Sequence, residues 1–203
     1  MKELAFILCS FFIMQVANSQ KLIVEDGLEL GRGIYKTYDE FKYNSPSVPL
    51  DFEIIKVDTG NIYHLKINRE KISFIGVIWG FCDGKNIYIN RDFNMSGKRV
   101  FKPDSQFNKI IYIGRYCYFL TAPTNPGIMF SQYLPFVIDF NSGEELCLNC
   151  ELNFWFIKQS QFKKIISRDS ELWADYKKDK SREDKFLKYI KLYSERHKDE
   201  IFN

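Results

Sequence analysis

Histidine is scarce in this chain: His64 and His197 are the only two among 203 residues. A zinc or iron site built on several imidazoles is thereby excluded, and His64, set in a strand pattern, reads as a solvated side chain on that strand's more polar face. The sequence also lacks a G-x-S-x-G nucleophile elbow, an H-E-x-x-H helix, a G-x-x-x-x-G-K-[ST] phosphate loop and a G-x-G-x-x-G dinucleotide turn. Gly31-Arg32-Gly33 runs on into Ile34-Tyr35-Lys36 without the third glycine such a turn needs. Beyond the N-terminus no run approaches the roughly 20 apolar residues of a membrane-crossing helix. A strong charge of one sign is missing as well: the net charge is +3, and the basic surplus lies between Lys158 and Glu200, where 13 Lys/Arg interleave with 9 Asp/Glu. Interleaved signs mark a solvated helix face, so no nucleic-acid partner is expected. What the chain does have is apolar and aromatic content, 45% and 17%, far from the profile of a disordered polymer.

Residues 1–19 have the order of a secretory signal peptide: Lys2, an apolar stretch from Leu4 to Met14, then Ala17-Asn18-Ser19 with small residues at −3 and −1. The mature chain is expected to start at Gln20 and to be exported, whether periplasmic, envelope-associated or extracellular. Cys9 lies inside the apolar stretch behind Leu8, which is not a lipobox arrangement. Cys82, Cys117, Cys147 and Cys150 remain, an even number of disulfide candidates whose connectivity sequence cannot choose. Cys147-Leu-Asn-Cys150 has redox-dithiol spacing, but Glu144 and Glu145 precede it and acidic neighbours raise a thiol pKa. A structural disulfide or buried thiols are expected there instead. A four-cysteine zinc site would need a second close pair, and Cys82 and Cys117 each stand alone. No metal or cofactor is expected.

The organising stretch is Lys71 to Asn90. Ile72 to Cys82 is dense in β-branched and aromatic residues, and Asp83-Gly84 suits a two-residue type I′ loop. That loop would set Cys82 opposite Lys85, Trp79 opposite Tyr88, Ile78 opposite Ile89 and Gly80 opposite Ile87, the glycine leaving room for the branched side chain. The first strand is apolar on both faces and is predicted to be central.

Around it, Leu22 to Val24 reads as a short strand. Thr37 and Glu40 form a capping box for a helical turn over Tyr38 to Tyr43 that buries Phe41 and stops at Asn44 and Pro46. Leu50 to Val57 and Asn61 to Ile67 form a hairpin. Phe107 to Leu120 reads as one strand run with a bulge or a bend at Gly114, and Ile128 to Phe140 as another, closed by Asn141-Ser142-Gly143. Leu148, Leu152, Trp155 and Phe156 share a helical face, predicting a helix from Glu144 to Gln159. Ser170 to Glu200 is predicted helical, capped by Ser170. Its apolar patches, Leu172/Trp173/Tyr176 and Phe186/Tyr189/Ile190/Tyr193, flank a polar Lys177 to Lys185 stretch where the helix leaves the body or breaks in two.

Strands first and helices last predict an α+β fold, mainly antiparallel sheet built from hairpins, with a short N-terminal helix and a helical C-terminal region. The organisation is 1–19 signal peptide, 20–143 β-rich domain, and 144–203 helical region packed on that domain or extending from it.

Three segments, G-I-Y-K-T-Y-D-E-F-K-Y-N-S-P at Gly33 to Pro46, W-G-F-C-D-G-K-N-I-Y-I at Trp79 to Ile89, and E-L-W-A-D-Y-K with the charged helix after it at Glu171 to Lys198, together resemble a family of exported, uncharacterised Bacteroidota proteins with a domain of unknown function. The resemblance implies an envelope location and brings no catalytic residues with it.

The function expected from the sequence is a non-enzymatic envelope binding or interaction module for a protein or glycan. The alternative is a hydrolase of a cell-wall or dietary glycan using an Asp/Glu pair. Asp83 is a tempting acid already explained by its turn. The candidate binding residues are Trp79 and Tyr88 as a cross-strand pair, and Phe186, Ile190 and Tyr193 as an apolar stripe on the last helix.

Overall fold

The computed structural model describes residues 21–25, 27–48, 53–56, 62–66, 78–91, 105–121, 133–148, 161–181 and 184–201. Residues 1–20, including the predicted cleavage site, and Cys150 lie outside them. The described residues form a nine-stranded antiparallel sheet. Its strands are β1 (Gly33–Tyr35), β2 (Glu53–Lys56), β3 (Ile62–Lys66), β4 (Gly80–Cys82), β5 (Ile87–Asn90), β6 (Gln106–Tyr112), β7 (Tyr116–Thr121), β8 (Leu134–Asp139) and β9 (Glu145–Cys147). The path runs β1-β4-β5-β6-β7-β8-β9, and the β2–β3 hairpin joins at β6. Helix α1 (Tyr38–Lys42) lies near the start, and α2 (Gln161–Ile166), α3 (Ser170–Lys178), α4 (Lys185–Arg196) and a 3-10 turn (Lys198–Ile201) close the chain. This is the predicted α+β class.

The central-strand expectation holds, since β4 pairs with β1 on one side and β5 on the other. The register differs from the predicted one. Phe81 faces Tyr88, Gly80 faces Ile89 and Cys82 faces Ile87, so the loop is Gly84-Lys85 rather than Asp83-Gly84. Asp83 N–H donates to the Asn86 carbonyl (3.1 Å), and its carboxylate accepts from Lys85 N (2.7 Å) and Asn86 N (2.6 Å). Those bonds make Asp83 the closing residue, while Gly84 alone supplies the positive φ, +95°, that a glycine-first turn requires. A two-residue shift keeps each paired side chain on its predicted face.

Other predicted elements change character. Leu22 to Val24 is a turn, not a strand, with Glu25 N–H bonded to the Leu22 carbonyl. Thr37 caps α1 as expected, accepting from Glu40 N (3.2 Å), but Glu40 reaches back to Lys36 N (2.7 Å) rather than to Thr37. The Phe107 to Leu120 run is two strands, β6 and β7, joined at Ile113-Gly114-Arg115. A Cβ on Gly114 would lie 2.7 Å from the Tyr112 ring, so the missing side chain lets that ring fold over the turn. Glu145 to Cys147 is strand β9, paired with β8 through Leu146 and Val137, and is not the start of a helix. The rest of that predicted helix, beyond Leu148, lies outside the described residues.

The C-terminal helix breaks in two, the second of the two predicted outcomes. Asp169, rather than Ser170, caps α3 by accepting from Leu172 N (2.9 Å), and Asp184 caps α4 by accepting from Leu187 N (3.1 Å). Two apolar layers sandwich the β7–β8 part of the sheet. Cys117, Phe119 and Ile138 point into a core with Trp79, Phe41, Phe140 and Ile201. Tyr116, Tyr118 and Val137, on the opposite face, pack against Phe162, Ile165, Leu172, Tyr189, Ile190 and Tyr193 from the helices. A third cluster joins Ile34, Leu65, Ile78, Phe81, Tyr88 and Phe107. Because Ile78 packs with Phe81 while Trp79 packs with Cys82, side-chain alternation breaks just before β4.

Candidate functional site

The binding candidates read from the sequence are interior residues. Trp79 is 6% exposed and stacks on Phe41 with ring centroids 4.5 Å apart. Tyr88, 4% exposed, stacks on Phe81 in a different cluster. The predicted Trp79–Tyr88 platform therefore does not form: the register sets Phe81 opposite Tyr88, and the break in alternation sends the Trp79 and Tyr88 rings to opposite cores. Ile190 and Tyr193 are buried against the sheet, and Phe186 packs edge-on to Phe162 at 4.9 Å. The stripe folds back because Tyr116 and Tyr118 offer it an apolar face.

The cysteines also part company. Cys82 and Cys117 are free and buried, so they leave the disulfide candidates. Each sits in an apolar layer, and burial pushes the Cys117 thiol up to about 12. Cys147 is disulfide-bonded. His64 is half-buried rather than solvated, with Nδ1 3.1 Å from the Ser105 carbonyl oxygen. Asp83, the tempting acid, is held by its turn: burial works to raise its carboxyl, but hydrogen bonds from Asn86, Lys85 and the Tyr88 hydroxyl prevail and hold it below the usual carboxylate range.

Polar groups gather instead where the β6–β7 and β8–β9 turns meet the chain end. Arg115 grips Asp139 with two bonds, Nη1 to Oδ1 at 2.7 Å and Nη2 to Oδ2 at 3.1 Å. Glu200 Oε2 lies 3.7 Å from the Arg115 Nε. His197, the C-cap of α4, stacks on Tyr193 at 4.2 Å, with Nδ1 3.0 Å from Glu200 Oε1 and Nε2 3.6 Å from Asp169 Oδ2. Arg196 binds Asp169 at 3.0 Å and lies 3.6 Å from Glu171. Burial works against the ionised Asp139, yet Arg115 and the N–H groups of Ser142 and Asn141 outweigh it and lower its pKa. For Asp169 the Leu172 N–H is the largest influence, Arg196 adds to it, and the pKa is again lowered. Carboxylates so held stay ionised, which suits a structural clamp and not a proton donor.

Beside this clamp a cleft of about 540 Å³ opens between the N-terminal turn, the β6–β7 turn and the end of α4. Val24, Tyr112, Ile113 and Ile201 give it apolar walls, while Glu25, Ser194, Glu195 and Lys198 supply polar groups. The volume is that of an ordinary small-molecule site. Glu25 has a structural task too, since Oε1 accepts from Leu22 N at 2.7 Å. A smaller recess of about 350 Å³ lies by Asp39, Glu40, Tyr43 and Ser45. Apart from Gly114, which marked a break in a strand run, none of the cleft residues stood out in the sequence, because they come from widely separated segments and no spacing rule connects them.

Among the described residues no cluster of His, Cys, Asp and Glu could hold a metal ion, and no helix is long and apolar enough to cross a membrane. The profile of a family of unknown function, DUF6563, matches residues 33–197, and the chain belongs to that family. The match runs from β1 to the C-cap of α4, so it takes in both the sheet and the helices packed on it. No curated protein and no solved structure matches the chain.

Proposed function

We propose that this chain is an exported, non-enzymatic binding module that holds a protein or glycan partner in the envelope of a Bacteroidota cell. The export half of the reading rests on Lys2, the Leu4 to Met14 stretch and Ala17-Asn18-Ser19. The binding half rests on one observation, the cleft of about 540 Å³ whose apolar walls carry Glu25, Glu195 and Lys198 at its polar positions. Such a surface offers shape, apolar contact and charge of both signs, as recognition sites do.

The carboxylates favour binding over catalysis. Glycoside hydrolysis needs one carboxyl held protonated, its pKa raised, beside another that is ionised. Among the described residues, the carboxyls of Asp83, Asp139, Asp169 and Asp179 are each shifted downward. One observation speaks for the hydrolase alternative: Glu25 and Glu195 line the same cleft.

A paired assay separates the two. Mature protein is incubated with bacterial cell-wall and plant polysaccharides, and co-sedimentation is measured together with release of reducing ends. Retention on a polymer without release is expected. Release that is lost in both Glu25→Gln and Glu195→Gln variants would establish the hydrolase instead. Export is tested by the N-terminus of envelope-fractionated protein, expected at Gln20; an intact Met1 there would contradict it.

A further inference from the structure

We propose that the cleft takes a lysine side chain of a protein partner, with its methylene stem against Val24, Ile113 and Ile201 and its ammonium group at the carboxylates of Glu25 and Glu195. The inference rests on the reading of the cleft as a binding site and narrows its partner from protein or glycan to protein. The apolar walls of the cleft are the outer edge of the core that holds Trp79: Ile201 belongs to that core, while Val24 and Ile113 pack against it and stay half-buried. An unbranched methylene stem with a charged end covers such a surface while its head stays in water.

Charge decides the side chain. Glu25 comes from the N-terminal turn and Glu195 from α4, and both line the cleft. Glu25 is fixed by its Oε1, which accepts from Leu22 N at 2.7 Å, and its other oxygen is left for a ligand. Glu195 is exposed and has no hydrogen bond or ion pair among the described residues. The nearby cations are taken up: Lys191 Nζ stands 5.6 Å from the Tyr112 ring centroid, and Lys198 has an interaction of its own within the chain. A ligand cation therefore meets two carboxylates that no described cation pairs. A sugar is the poorer fit, since it needs a broad aromatic face and fixed partners for its hydroxyls. The ring among the described lining residues, Tyr112, packs against the helix-side core with its hydroxyl edge over Gly114. Ser194 is 2% exposed, and its Oγ accepts from Tyr116 N at 3.4 Å.

Mature protein with labelled isoleucine methyls is titrated with an end-blocked peptide carrying a single lysine, with its Nε-acetyl-lysine counterpart, spermidine and maltohexaose as comparators. The lysine peptide is expected to shift the Ile113 and Ile201 methyls, with affinity falling as salt rises, and the acetylated peptide to bind far more weakly. Glu195→Gln should weaken the lysine peptide by about threefold. Glu25→Gln, which keeps an acceptor for Leu22 N–H, should do the same, and the double variant should lose about tenfold. Lys198→Gln, which removes a like charge, should tighten binding by up to about twofold. Glu195→Gln, at an exposed position, should melt with the wild type, which separates binding from folding. Equal binding of the acetylated peptide, a double variant that binds as wild type, or binding of spermidine without the peptide would each overturn the proposal. Shifts at Ile113 and Ile201 with maltohexaose and none with the lysine peptide would overturn it too, yet leave the cleft a binding site. Silence of both methyls towards every ligand, envelope extract included, would defeat the reading of the cleft as well.

Discussion

Arg115 and Asp139 meet side-on, two nitrogens against two oxygens at 2.7 and 3.1 Å, and so tie the turn before β7 to the end of β8. Asp139 also accepts from Asn141 N and Ser142 N, holding the β8–β9 turn. Removing one partner would leave the other charged and largely buried. Asp139→Asn is therefore expected to cost roughly 2–4 kcal/mol at neutral pH in denaturant melts.

The same pair gives a pH dependence of known sign. The folded pKa of Asp139 lies below its ordinary value. Its contribution is thus complete above the unfolded value of about 3.9 and disappears as pH falls through the folded one. Melting temperature should drop steeply on acidification below about pH 4 in the wild type and less steeply in Asp139→Asn. Parallel curves would show that Asp139 takes no part in acid unfolding.

At Gly80 the sheet leaves no space for a side chain. A Cβ there would lie 2.4 Å from the Tyr88 carbonyl oxygen, a backbone atom of the paired strand. Gly80→Ala should destabilise by more than about 2 kcal/mol, because β4 and β5 must move apart. Equal stability would mean the pair is looser than described.

The last helix is expected to behave as core. Ile190→Ala should cost about 2–5 kcal/mol, and deletion of residues 184–203 should unfold the chain rather than free a partner surface. A deletion that melts with the full chain would restore the exposed stripe that the sequence suggested.

The thiols should be silent in the native state. Cys82 and Cys117 are buried and free, with pKa values raised by burial. A thiol reagent should label neither until denaturant is added, and the chain should not reduce insulin. Rapid native labelling would contradict the burial of both.

Much of this fold was legible because period-two patterning survives small errors. Around the loop, Phe81, Cys82, Ile87, Tyr88 and Ile89 kept their predicted faces despite a two-residue shift, since parity decides which side a residue takes, whereas Ile78 and Trp79 changed sides where the alternation breaks before β4. The shift itself was hidden because Asp83 closes its turn through side-chain bonds that no hydrophobic pattern records. Gly114 marked a break correctly, but whether a glycine bends a strand or turns it depends on the Tyr112 ring lying over it. Leu148 and its helical-period partners outweighed Glu145-Leu146-Cys147, a strand too short to show a period. The site was the least legible part. Arg115 and Asp139 are 24 positions apart, and Val24, Ile113 and Ile201 come together only through the fold.

The central claim is that the cleft between the N-terminal turn, the β6–β7 turn and the end of α4 receives a ligand. Isoleucine methyl NMR tests it most directly, with the mature chain titrated against oligosaccharides and peptides recovered from envelope extracts. The account predicts shifts for the Ile113 and Ile201 methyls, which line the cleft, and unmoved signals for Ile55 and Ile111, exposed elsewhere at 43% and 41%. Ligand-induced shifts that spare Ile113 and Ile201 while moving other methyls would contradict it.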